Sequence, residues 1–239
     1  MLGNASPTPY DLRFTLLGIP VRVHPLFWLV SAVMGWDAED PNYMLLWIVC
    51  VFVSVLVHEF GHALTARYFG WPPEIVLYSF GGYAAYTPTW GYTTARRVRV
   101  LLAGPGAGFI LYGLCLVAEH LLFRQQILRL WAGALGGDNP VPAGLRYTLF
   151  VLFQMKFINL WWGLVNLLPV FPLDGGQIAR ELLTHYRYRD GLEISLKISL
   201  LVGAAVSAYF FVHEETWPGF LFAALAIESL QYLQGMRYR

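Results

Sequence analysis

At 239 residues, 57% hydrophobic and only 13% charged, the chain carries more apolar surface than a water-soluble domain covers, since such domains average about 45–50% and 25%. A net charge of +1 gives no overall case for nucleic acid or an acidic partner, and a mean hydropathy of +0.51 points to lipid. The two cysteines, Cys50 and Cys115, stand apart in apolar runs, which argues against a disulfide framework or a thiolate metal cluster.

Residues 1–22 lack the basic start, apolar core and small-residue cleavage site of a removable signal peptide. A spanning helix needs about 20 mostly apolar residues. The sequence predicts six, near 25–36, 43–66, 98–121, 147–168, 192–212 and 217–234, the first cut short by Gly35 and Asp37. Residues 74–92 are rich in β-branched and aromatic side chains around Gly81-Gly82 and predict a short hairpin or re-entrant segment at the membrane surface. Two prolines and two glycines in Leu168-Pro169-Val170-Phe171-Pro172-Leu173-Asp174-Gly175-Gly176 stop the fourth helix. Irregular backbone at membrane depth is tolerated only where protein or a water-filled cavity surrounds it. The expected fold is a mostly α membrane protein, one membrane-embedded domain over 1–239.

Loop charges set the expected orientation. Basic residues gather before the first span (Arg13, Arg22), around the second and third (Arg67, Arg96, Arg97, Arg99), between the fourth and fifth (His185, Arg187, Arg189) and at the end (Arg237, Arg239). Acidic residues mark the intervening loops, Asp37, Glu39 and Asp40 in one and Glu214 and Glu215 in another. Both termini are therefore expected in the cytoplasm, although Arg124, Arg129 and Arg146 run against the pattern.

Within the second span the fifteen residues Tyr43 to Val57 hold one polar side chain, Ser54, and are followed by His58-Glu59-Phe60-Gly61-His62. Ionisable residues inside a membrane-length helix are costly and read as a functional site. Residues four apart share a helical face, so His58 and His62 can both turn nitrogens to one zinc ion while Glu59 takes a proton from its water. By composition alone this pattern arises in about one chain in a hundred of this length. A polar cluster gluing helices together is the plainer alternative, but three such residues in five are an expensive way to build one. Catalytic zinc takes three protein ligands and leaves a fourth position open. A metzincin continuation needs Gly at 65 and His at 68, where the chain has Thr65 and Tyr68. Glu74 follows Pro72-Pro73 too closely, His185 and Asp190 lie in a basic loop, and His120 lies at the far end of its span. Asp174, in the broken segment, is the best-placed third ligand.

HEFGH in one apolar helix, with Asn166-Leu-Leu-Pro169-Val-Phe-Pro172-Leu-Asp174-Gly-Gly in a later one, resembles the site-2 proteases, intramembrane zinc metalloproteases of regulated intramembrane proteolysis. Gly18-Ile-Pro-Val-Arg-Val-His24 looks like the opening segment of the family's sporulation-protease branch, and Ala103-Gly-Pro-Gly-Ala-Gly108 like its glycine-proline motif. The resemblance covers roughly 18–180. It implies one zinc per chain on His58, His62 and Asp174, Glu59 as general base, and Asn166 as a donor to substrate backbone or oxyanion; a plain interhelical hydrogen bond is an equal reading of Asn166. It also implies a membrane-spanning protein substrate and a prokaryotic cell membrane. No stretch reads as the PDZ insertion or paired C-terminal modules of many members, so regulation would fall to a membrane partner. The small residues of 103–108 read first as close helix packing. Lys156 is odd at mid-span, with Glu228 one conceivable partner or a water path another, and His24 reads as interfacial. The competing functions are a catalytically silent membrane-protein binder, which need not keep a base beside the metal, and a metal-ion transporter, which would need a continuous polar path.

Overall fold

The computed structural model describes residues 6–36, 40–79, 81–88, 90–133 and 143–237, so Asp37, Glu39 and Arg239 of the charge argument lie outside the described residues. In chain order the elements are β1 (Leu12–Leu16), β2 (Ile19–Val23), α1 (Pro25–Met34), α2 (Pro41–Tyr68), β3 (Pro73–Tyr78), β4 (Gly81–Tyr86), α3 (Thr94–Gly133), α4 (Ala143–Asn166), α5 (Asp174–Tyr186), α6 (Gly191–Val212) and α7 (Thr216–Arg237). They fall into two compact units, Met1–Thr89 with Ala103–Gly163, and Trp90–Leu102 with Leu164–Arg239.

Four helices among the described residues are long and apolar enough to cross a membrane: α2, α3 over Thr94–Leu122, α4 over Gly144–Asn166, and α6. The expectation of six is thus approximate. At ten residues α1 is a shorter apolar helix, reaching about 15 Å, and α7 is diluted by Glu228, Gln231 and Gln234.

In the first unit α2 begins where Asp40 accepts a hydrogen bond from the Asn42 amide (2.9 Å) and Pro41 takes the first helical position, where its missing N–H costs nothing. It stops at Tyr68, and Gly70 turns the chain away in the left-handed region (φ 80°). The hairpin expected at 74–92 is present as β3 and β4, and it belongs to a four-stranded sheet ordered β1-β2-β3-β4. Strands β1 and β2, unforeseen in the sequence, form an antiparallel hairpin, and β2 pairs parallel with β3 (Val21 opposite Ile75, Val23 opposite Leu77). One apolar cluster joins sheet to helices: Ile19, Val21 and Val23 of β2, Ile75 and Leu77 of β3, Phe27 of α1, and Val55, Leu56, Phe60 and Ala63 of α2. The residues flanking the histidine motif are therefore anchored on the sheet. His24 is structural: its Nδ1 accepts the Leu26 amide (3.1 Å) to cap α1, and its ring meets Tyr78 edge-on.

A second cluster, Cys50, Cys115, Met155 and Ile158, joins α2, α3 and α4. Beside it Asn159 donates to the Ser54 hydroxyl (2.9 Å) and to the Met155 carbonyl (2.8 Å), a buried tie one helical turn before His58. Lys156 pairs with Glu119 of α3, and not with Glu228. The two lie 37 residues apart in sequence, which hid the pairing.

In the second unit α6 and α7 pack along each other, with Val170, Phe222 and Leu225 at the core. The broken segment is fastened there by a hydroxyl relay: Ser199 accepts the Phe171 amide (2.7 Å) and shares a hydrogen bond with Ser229 (2.7 Å). Replacing Ser199 by Ala removes the acceptor of a backbone N–H in an apolar setting, expected to cost about 1–3 kcal/mol. Thermal unfolding in detergent would show it as a lowered midpoint.

Candidate metal centre

Two helical turns of α2 create the first half of the site. His58 and His62 are buried (3% and 6% exposed), as is Glu59 between them. The i, i+4 spacing brings the two Nε2 atoms to 3.1 Å, with the rings edge-to-face. Two nitrogens each 2.0–2.1 Å from a tetrahedral zinc stand about 3.3 Å apart, so the pair already has the bite of a zinc chelate. When both histidines act as ligands their Nε2 lone pairs face one another, a repulsion that a cation relieves.

Helix α3 comes close at this level. A Cβ built on Gly61 would lie 2.2 Å from the Ala103 carbonyl oxygen, and one on Gly104 would lie 2.2 Å from His62 Nε2. Gly61 brings the two helix backbones together, and Gly104 sets the α3 backbone directly against the His62 ring, which limits its rotation. The close-packing reading of 103–108 thus acquires a specific place: Gly104 backs a candidate ligand, whereas a Cβ on Gly106 would meet nothing.

Strand β4 adds a feature absent from the sequence reading. A Cβ on Gly82 would lie 3.0 Å from Cγ of Glu59 and 2.7 Å from the Leu77 side chain. The bare backbone there leaves room for the carboxylate. A glycine inside a strand often marks such an approach, and Gly81-Gly82 within 74–92 was the available signal.

In the second unit Asp174 is the first residue of α5 and is 7% exposed. Helix α5 starts without a side-chain hydrogen bond from its N-cap residue, Leu173. The chain folds tightly back to get there: a Cβ on Gly175 would lie 2.1 Å from the Leu167 carbonyl oxygen, and one on Gly176 2.4 Å from the Val170 carbonyl carbon. Asp-Gly-Gly is therefore a steric requirement of the break that presents the carboxylate. Asn166 closes α4 and is buried (8% exposed).

The described residues whose donor atoms suit a metal ion are His58 and His62 in the first unit and Asp174 in the second, all three buried. Two imidazoles and a carboxylate suit zinc, with a fourth position left open. Of the other acidic and histidine candidates weighed from sequence, none is in that group; His185 lies in the last turn of α5 and meets Tyr186 edge-on.

The sequence pattern of peptidase family M50 matches residues 46–210. Zinc metalloprotease MJ0392 of Methanocaldococcus jannaschii is 32% identical over 195 residues, covering 79% of this chain and 50% of the relative. Stage IV sporulation protein FB of Bacillus subtilis is 27% identical over 216 residues, 87% of this chain and 65% of its own. Putative zinc metalloprotease Rip2 of Mycobacterium tuberculosis is 31% identical over 201 residues, 71% of this chain and 69% of its own. The chain thus spans half of the archaeal relative and just under two thirds of the sporulation protein. The solved site-2 protease from Methanocaldococcus jannaschii shares the fold, with a TM-score of 0.58 at 24% identity over 94% of this chain and 95% of that one. Both halves of the candidate centre, the histidine pair of α2 and the Asp174 turn, fall inside the matched stretch, and the chain belongs to peptidase family M50.

Proposed function

We propose that the protein is a zinc endopeptidase that cuts a membrane-spanning segment of another protein. The observation that carries this reading is the buried His58–His62 pair at chelating distance with Glu59 between them, on a helix apolar enough to span a bilayer. In this reading 1–239 acts as one catalytic domain, His58, His62 and Asp174 hold one zinc, and both termini face the cytoplasm. Zinc bound there supplies Lewis acidity, polarising a peptide carbonyl and bringing the pKa of water towards about 7.

The chain's own groups do the rest. Glu59, with its side chain against the bare backbone of Gly82, accepts the proton of the attacking water and passes it to the leaving amide nitrogen. Asn166, by its side-chain amide, donates to the substrate backbone or to the oxygen that gains charge. The silent-binder alternative loses ground because base and ligand residues are all present and buried.

A substrate helix must unwind before its peptide bonds can be reached, and a sheet edge is a natural receiver for the extended strand. Strand β3 is paired on both sides, so the place for addition is β4, whose outer edge is open in the sheet order. Single proline substitutions along 83–86, at the alternate positions whose N–H points outwards, are expected to cut cleavage and to spare folding. Uniform tolerance in a peptide-cleavage assay would count against strand addition.

The function itself is tested on detergent-purified protein by metal analysis and cleavage of a membrane-helix substrate. We expect about one zinc per chain, loss of cleavage on chelation and recovery on returning zinc. Folded protein that takes up no zinc would refute the reading; zinc carried into sealed vesicles would identify a transporter.

A further inference from the structure

We propose that Gln177, gripped by Arg97, is a positioning residue that sets Asp174 for the metal. The proposal rests on the zinc reading above and adds two residues that neither the motif nor the family match assigns.

Asp174 sits on a turn whose two sides are tied by one side chain. Gln177, one helical turn further along α5, donates from Nε2 to the Pro172 carbonyl (3.0 Å), while its own amide N–H donates to the Leu173 carbonyl (2.9 Å). Residues 172, 173 and 177 thus bracket Asp174. The remaining atom of the amide is engaged too: Gln177 Oε1 accepts from Arg97 at 2.9 Å. The same guanidinium reaches Glu181 at 4.0 Å, and Glu181 also takes the Tyr92 hydroxyl. Gln177 and Glu181 are four apart on one face of α5, so the start of α3 holds that helix at two points and fixes its rotation. Rotation of α5 about its axis is the motion that would swing Asp174 away.

The residue type is informative. Only a side chain that donates and accepts at once can serve both the Pro172 carbonyl and the Arg97 guanidinium. A carboxylate at 177 would lose the bond to Pro172, and a cation would repel Arg97. Partners that orient ligands in this way change metal affinity about 10–100-fold when removed.

The sign of the Arg97 effect separates positioning from mere proximity of charge. A guanidinium acting only as a neighbouring cation weakens zinc binding, so removing it would tighten the site. A guanidinium acting through Gln177 strengthens binding, so removing it would loosen the site.

The test is zinc affinity of the full chain in detergent, by competition with a chromogenic chelator, for wild type, Gln177→Met, Arg97→Gln and Asp174→Ala, each checked by circular dichroism. We expect Gln177→Met and Arg97→Gln each to weaken binding by about 10-fold or more. Affinity within twofold of wild type for Gln177→Met, or tighter binding in Arg97→Gln, would overturn the proposal. If Asp174→Ala weakens binding while Gln177→Met does not, only this inference falls. If Asp174→Ala keeps wild-type affinity, the ligand assignment falls first. One variant removes an amide and the other a charge, so a folding defect in one leaves the other as the test.

Discussion

Glu59→Gln is expected to abolish cleavage while leaving zinc in place. The substitution keeps the volume and one oxygen of a buried side chain (4% exposed), and removes the lone function that matters in the proposed mechanism, taking up a proton. General-base contributions run to about 10²–10⁴-fold, and the loss should appear in kcat with little change in substrate binding, because the base acts only as the bond is attacked. Zinc content should match wild type, since Glu59 is not in the ligand group. Cleavage within tenfold of wild type would remove Glu59 from the mechanism; a parallel loss of zinc would make it a ligand or a structural prop instead.

The second large effect is expected at Gly61→Ala, a single methyl group. Its Cβ would lie 2.2 Å from the Ala103 carbonyl oxygen, where ordinary contact begins at 3.4 Å, so α2 and α3 must part by about an ångström. A backbone carbonyl cannot swing aside as a side chain does. His58 and His62 flank Gly61 on α2, and metal ligands tolerate misplacement of only about 0.2 Å. Overpacking of this kind costs about 1–3 kcal/mol, and felt at the metal that is about 10–100-fold in zinc affinity. Gly106→Ala provides the contrast: nothing lies within 4 Å of its Cβ, and near-wild-type zinc binding is expected. Equal effects of the two changes would remove the steric explanation.

Those elements whose signals are local were legible in the sequence. Helix α2 announced itself because charged residues interrupt an apolar run, and the break before α5 because prolines and glycines cannot continue a helix. The hairpin β3–β4 followed from strand-forming residues around a glycine pair. The β1–β2 hairpin escaped notice because its turn is Leu17-Gly18, both at positive φ (50° and 74°), where Asn-Gly is the usual signature. Pro20 inside β2 and the arginines of both strands further blurred the alternation. Helix α5 was obscured by the two glycines at its start. Partners distant in sequence were out of reach in principle: the Lys156–Glu119 pair and the grip of Arg97 on Gln177 depend on which helices adjoin. At the candidate centre the residues proposed as ligands and base stand out in the sequence, while the glycines packed beside them were visible only as spacing.

The parallel pairing of β2 with β3 has a consequence for biogenesis. Between those strands the chain makes the whole excursion through α1 and α2, so the sheet cannot close until the histidine-bearing helix has been made and the chain has come back as β3. Strand β2 must wait for a partner synthesised some fifty residues later, as the register Val21 to Ile75 requires. Such long-range closure is slow compared with local helix formation. The order of assembly is therefore built into the sheet: the β1–β2 hairpin can form on its own, whereas its docking on β3 comes only after the histidine-bearing helix has been made.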